Sequence, residues 1–145
     1  MRKRPPAVLV DTNVFVAALL GRAGHNREVL RACLENRIRP LMGQALFLEY
    51  EALLARPELF KASPLRERER QALFDAYLSM CEWVEVFFPL RPNLPDEEDN
   101  HILELAFAGG ASMIVTNNTR HFQHSQLRFP DIRVLNPASF LETMK

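Results

Sequence analysis

Short apolar runs rich in β-branched residues alternate along this chain with longer stretches whose apolar residues recur at helical spacing, and this alternation constrains the fold more than any other feature. Ala7 to Val10, Ile38 to Met42, Trp83 to Phe88, Met113 to Val115 and Ile132 to Leu135 read as strands. Helices are expected over Val14 to Leu20, His25 to Asn36 and Gln44 to Arg56, and from the Ser63-Pro64 start to about Glu82. Gly21 and Gly24 read as breaks before the second of these. Another helix should run from the acidic cluster Asp96-Glu97-Glu98-Asp99-Asn100 through Ala108, and Asn136-Pro137 should open a last one. Strands that alternate with helices need crossover connections, which give a parallel sheet covered on both faces. The expected class is therefore α/β, a three-layer α/β/α sandwich. At 145 residues the whole chain, 1–145, fits one domain with a single sizeable core.

Formal net charge is zero, so no overall basic field draws nucleic acid, and any such contact must use local patches. Arg2-Lys3-Arg4-Pro5-Pro6 is a basic lead-in with no apolar core long enough for a signal peptide, and nothing approaches a transmembrane span. Cys33 and Cys81 lack metal-type spacing and read as buried free thiols, which fits a cytoplasmic protein with no membrane association. Arg66-Glu67-Arg68-Glu69-Arg70 reads as a solvated face of mixed-sign pairs.

The chemistry concentrates where apolar runs break into polar ones. Val10 gives way to Asp11-Thr12-Asn13, and Val115 to Thr116-Asn117-Asn118. In a parallel sheet all strand carboxyl ends lie on one edge, so these two polar turns face a common crevice. Asp11 is either a turn and cap residue or a ligand. Stepping back along the apolar stripe Ile102, Leu103 and Ala106 lands on Asp99, which heads the core-facing side of its helix, whereas Asp96 suits a cap. Glu49 and Glu51 flank the apolar face of their helix on opposite sides, and periodicity does not choose between them. Carboxylates gathered in one cleft repel unless a cation offsets them. An all-oxygen set with no histidine–cysteine cluster suits Mg²⁺ or Mn²⁺ rather than zinc, and such a site can polarise a phosphodiester and activate water for in-line attack. Among other polar groups near the crevice, Arg120 is a better candidate for a phosphate contact than His121 or His124, and His101 reads as a surface or supporting residue.

Taken in order, Val-Asp11-Thr-Asn13, Phe-Leu-Glu49-Tyr-Glu, Asp96-Glu-Glu-Asp99-Asn100 with Glu104-Leu-Ala, and Ile-Val-Thr116-Asn-Asn118 with His121-Phe122 resemble a PIN domain of the FEN-like nuclease superfamily. More narrowly, they resemble the bacterial branch that supplies toxin components of toxin-antitoxin systems. The likeness spans about Val8 to Leu141, including the closing Asn136-Pro137-Ala-Ser-Phe140-Leu141 segment. It implies an Mg²⁺- or Mn²⁺-dependent endoribonuclease acting on single-stranded RNA, with a cognate antitoxin and a homodimer as partners. Carried over residue by residue, Asp11, Glu49 and Asp99 match the family's acidic ligands, with Asp96 near the pocket mouth. Asn13 and Thr116 match polar positions that orient the carboxylates. The departure is Asn118, where many PIN domains carry a fourth carboxylate: an amide oxygen can still coordinate, but one negative charge is lost and a second cation is held less well. Two other classes compete. One is a degenerate PIN module that binds RNA or a protein partner without cleaving. The other, a phosphohydrolase with an aspartyl nucleophile, is disfavoured because Asn13 stands where a second aspartate would be.

Overall fold

In the computed structural model β1 (Ala7–Val10) is the middle strand of a five-stranded sheet, and Val8, Leu9 and Val10 are buried. A strand covered on both faces is what a continuous apolar run encodes. The structure describes residues 4–21, 24–86, 97–122 and 129–145, with only the backbone of residues 97–100. Along them α1 (Thr12–Leu20) and α2 (Gly24–Leu34) lead to β2 (Arg39–Met42), then α3 (Gln44–Leu54) and α4 (Glu67–Met80) lead to β3 (Glu82–Trp83). The helix α5 (Glu97–Ala108), β4 (Met113–Val115), β5 (Arg133–Leu135) and α6 (Pro137–Thr143) complete the order, and short 3-10 turns occupy Pro57–Phe60 and Thr119–Phe122.

Every strand pair is parallel and the spatial order is β3-β2-β1-β4-β5. From β1 the chain steps outward to β2 and β3, then returns past β1 to β4 and on to β5. Right-handed crossovers that run in opposite directions put their helices on opposite faces. Accordingly α2 packs with α1, α4 and α6, whereas α5 lies across β1 and β2. The result is the three-layer α/β/α sandwich expected from the alternation. The order reverses between β1 and β4, so the crevice of an open α/β sheet falls at their carboxyl ends. Among the described residues no helix is long and apolar enough to cross a membrane.

Beyond shifts of one or two residues at element ends, three features differ from the sequence reading, each for a local reason. The Ser63-Pro64 pair does not open α4: Ser63 Oγ accepts from Leu65 N at 3.1 Å and donates to Leu19 O at 2.7 Å, which closes a turn. A side chain that satisfies its own turn competes with a helix start, and α4 begins at Glu67, with Arg66 N donating to Glu69 Oε1 at 2.9 Å. The strand expected over Trp83 to Phe88 is assigned only over Glu82–Trp83, with Phe87 and Phe88 outside the described residues. Its neighbour among the described residues, β2, ends at Met42, and Val84 N bonds Met42 O at 2.8 Å just past the last paired residues. Gly21, at φ +69°, is the left-handed cap that ends α1, but Gly24 lies inside the first turn of α2 instead of breaking the chain. Both cysteines are free, as read: Cys33 is buried and Cys81 half-buried. Burial pushes both thiols up, Cys81 to about 12.

Candidate active site at the reversal of strand order

Parallel register places the first carboxylate. Val10 pairs with Val115, so the next residues, Asp11 and Thr116, leave the sheet side by side, and Asp11 N donates to Val115 O at 2.9 Å. Asp11 keeps extended backbone and caps α1, its Oδ1 accepting from Thr12 N at 2.8 Å. Its Oδ2 accepts from Thr116 Oγ1 at 2.8 Å and from Asn13 Nδ2 at 3.2 Å. Thr116 is wholly buried, and its hydroxyl also accepts from Asn13 Nδ2 at 3.1 Å and from Asn118 N at 3.1 Å. Asp11 is 6% exposed, which is sustainable for a carboxylate only with such donors.

Glu49 reaches the same edge from α3. That helix starts immediately after Gly43, where an added Cβ would stand 3.1 Å from Leu105 Cδ1 and 3.3 Å from Val84 O. The missing side chain lets α3 begin against both α5 and the strand edge. Next to Glu49, Tyr50 is buried and its hydroxyl donates to Val10 O at 3.3 Å, which ties α3 to the end of β1. Phe15, Phe74 and Tyr77 surround the Tyr50 ring. Glu49 Oε1 accepts from Thr12 Oγ1 at 2.8 Å, and His101 Nε2 of α5 lies 2.9 Å from Oε2. Thr12 thus touches both carboxylates, Asp11 through its backbone N–H and Glu49 through its hydroxyl. Burial raises the Glu49 carboxyl, but the hydrogen bonds from His101 and Thr12 and the attraction of the imidazole outweigh it and hold the group below its ordinary value of 4.5. Glu51 is exposed on another side of α3.

The asparagines divide unevenly. Asn13 Oδ1 accepts from Asn117 N at 3.0 Å and from Asn117 Nδ2 at 3.3 Å, and Asn117 Nδ2 also donates to the buried Asn26 Oδ1 at 2.9 Å. Asn118 brings its backbone N–H to Thr116 and is itself exposed, as is Arg120 on the following 3-10 turn. His121 is exposed beside the buried Phe122. Asp99 has its backbone in the first turn of α5 but its side chain lies outside the described residues, and Asp96 and His124 lie outside them altogether. The apolar stripe that Asp99 heads is buried through Ile102, Leu103 and Ala106.

Sequence reasoning passed over Asn26, gave Thr12 and Asn117 no role of their own within their polar turns, and gave His101 no particular partner. A threonine at the first helical position and a histidine two residues after an aspartate carry no local signature, because their partners come from other elements. Among the described residues no three His, Cys, Asp or Glu side chains gather closely enough to hold a metal ion. The donor set that does converge, two carboxylates braced by hydroxyl and amide groups, is an oxygen environment of the kind Mg²⁺ and Mn²⁺ prefer.

The sequence model of the PIN domain matches residues 7–120. The chain belongs to the PIN domain family. This PIN domain is also similar in structure to a chain of VapBC2 from Rickettsia felis, solved bound to a DNA fragment from their promoter. The match has a TM-score of 0.60 at 17% identity and covers 90% of this chain and 98% of that one, a likeness of fold. Comparison with curated proteins gives no match. The family match spans Asp11, Glu49, Thr116 and Arg120, and both strands at the reversal point fall inside it.

Proposed function

We propose that this PIN domain is a metal-dependent endoribonuclease that cleaves single-stranded RNA as the toxin of a toxin-antitoxin pair. The observation that carries the reading is the convergence of Asp11 and Glu49, from a strand end and a separate helix, on the two sides of Thr12. Asp11, Glu49 and Asp99 are the proposed catalytic carboxylates and would hold Mg²⁺ or Mn²⁺, with Asp96 and Asn118 as outer contributors. The cation would supply Lewis acidity toward the phosphodiester and make water more acidic. Thr116 and Asn13 orient the Asp11 carboxylate by donating to Oδ2, and Thr12 does the same for Glu49. Arg120, exposed beyond the β4 end, is the proposed phosphate contact. A zero net charge leaves RNA binding to such local groups. A cognate antitoxin and a homodimer are the partners this reading brings with it, in a cytoplasmic setting.

The test uses Asp11→Ala and Asp99→Asn as separate variants checked for folding by circular dichroism. Each should lose Mn²⁺-dependent cleavage of single-stranded RNA by about a thousandfold or more, since losing a charge-stabilising centre costs several kcal/mol of barrier. Unchanged cleavage in both overturns the assignment. The exposure of Asn118, where many family members carry a carboxylate, favours one alternative, a non-cleaving RNA-binding module. RNA binding without any Mn²⁺ binding at millimolar concentration would decide for it.

A further inference from the structure

The Glu49 carboxylate is gripped at both ends by side chains from two other helices. Thr12 Oγ1 on α1 bonds Oε1 at 2.8 Å, and His101 Nε2 on α5 bonds Oε2 at 2.9 Å. An ionised carboxylate only accepts, so the hydrogen between Glu49 and His101 sits on Nε2 whichever form the ring takes. The other ring nitrogen, Nδ1, is buried with no hydrogen-bond partner among the described residues. The Glu49 contact is therefore the one that anchors the polar edge of this ring. We propose that His101 is a positioning residue: with Thr12 it clamps Glu49, fixing the plane of the carboxylate and the directions in which the second lone pair of each oxygen points.

A glutamate needs this more than an aspartate does. It has one more rotatable bond, it leaves from a helix side instead of a strand end, and 30% of its side chain is open to water. Without the clamp the carboxylate samples several rotamers, and each cation captured must first restrict it. Partners that orient a ligating group from behind typically govern tenfold to a hundredfold in metal affinity. The effect on affinity rests on the metal-nuclease reading above, whereas the effect on the carboxylate does not.

The experiment compares His101→Leu, His101→Gln and Thr12→Val with the unaltered protein, by two measurements. First, crystal structures without metal report the Glu49 rotamer. Leu at 101 should release Oε2, Val at 12 should release Oε1, and Gln, whose amide can donate from nearly the Nε2 position, should restore the pose. Second, calorimetric Mn²⁺ titration should show about tenfold to a hundredfold weaker binding in the Leu variant and most of that recovered in the Gln variant. An unmoved Glu49 in both His101→Leu and Thr12→Val overturns the clamp. So does Mn²⁺ affinity in His101→Leu equal to that of an unaltered protein that binds the ion. A Glu49 that moves as expected in a protein binding no Mn²⁺ at all supports the clamp and overturns the metal reading instead.

Discussion

Asp11 and Glu49 stand at the same edge of the sheet, yet they are held in opposite ways. Asp11 is fixed by the backbone: register sets it beside Thr116, and three donors within one strand-end cluster meet its two oxygens. Glu49 is fixed by helix packing, through α1, α5 and the Tyr50 tie to β1. The first arrangement persists as long as the sheet does. The second depends on three helices keeping their distances, which makes it the adjustable half of the site.

That contrast breaks most visibly through the buried hydroxyl of Thr116. Thr116→Val keeps the shape but leaves Asp11, the Asn13 amide and the Asn118 N–H short of a partner, so urea unfolding should show a loss of about 3 kcal/mol, the upper end for buried polar groups left unmatched. Thr12→Val removes a hydroxyl that bonds the half-buried Glu49, whose carboxylate water can still reach, and should cost markedly less in the same measurement. A larger loss at Thr12 than at Thr116 would reverse the comparison.

Gly43→Ala presses on the Glu49 half alone. The new methyl meets Leu105 Cδ1 at 3.1 Å and the fixed Val84 carbonyl at 3.3 Å, so α3 must shift slightly. Overpacking of this degree should cost about 1 kcal/mol by thermal melting. On the proposed metal-nuclease reading it should weaken Mn²⁺ binding, while the Asp11 cluster, followed by the amide NMR signals of Thr12 and Asn118, stays in place.

The smallest effect is in acid. Glu49 titrates below 4.5 in the folded protein, so its clamp contributes stability above that pH and loses it as pH falls through the folded value. Unfolding curves at a series of pH values should show this acid-side slope diminished in Glu49→Gln. An unchanged slope would place the titration elsewhere.

Much of this was legible in the sequence because it is encoded locally. The run into Asp11 and the run into Thr116 each announce a strand end, and alternation with helices makes the sheet parallel, which brings the two ends to one edge. The apolar stripe of α5 was legible in the same way. Glu49 against Glu51 was not settled by the residues themselves, since both flank the apolar face; the family resemblance pointed to Glu49, and in the structure Glu49 bonds Thr12 and His101 whereas Glu51 is exposed. The start of α4 was misplaced because Ser63 spends its hydroxyl on a turn and on Leu19 instead of on a helix.

Trp83 is the chain's single tryptophan. The residue is 55% exposed, its ring rests against Phe47, and it forms part of the wall of a cavity of about 740 Å³ that His101 also lines. The molecule therefore carries one indole fluorophore, half in water, in a hollow that His101 of the Glu49 clamp also lines. Light emitted from that indole is a label-free optical signal for whatever enters the hollow or shifts α3 against α5, and no second tryptophan adds a background to it.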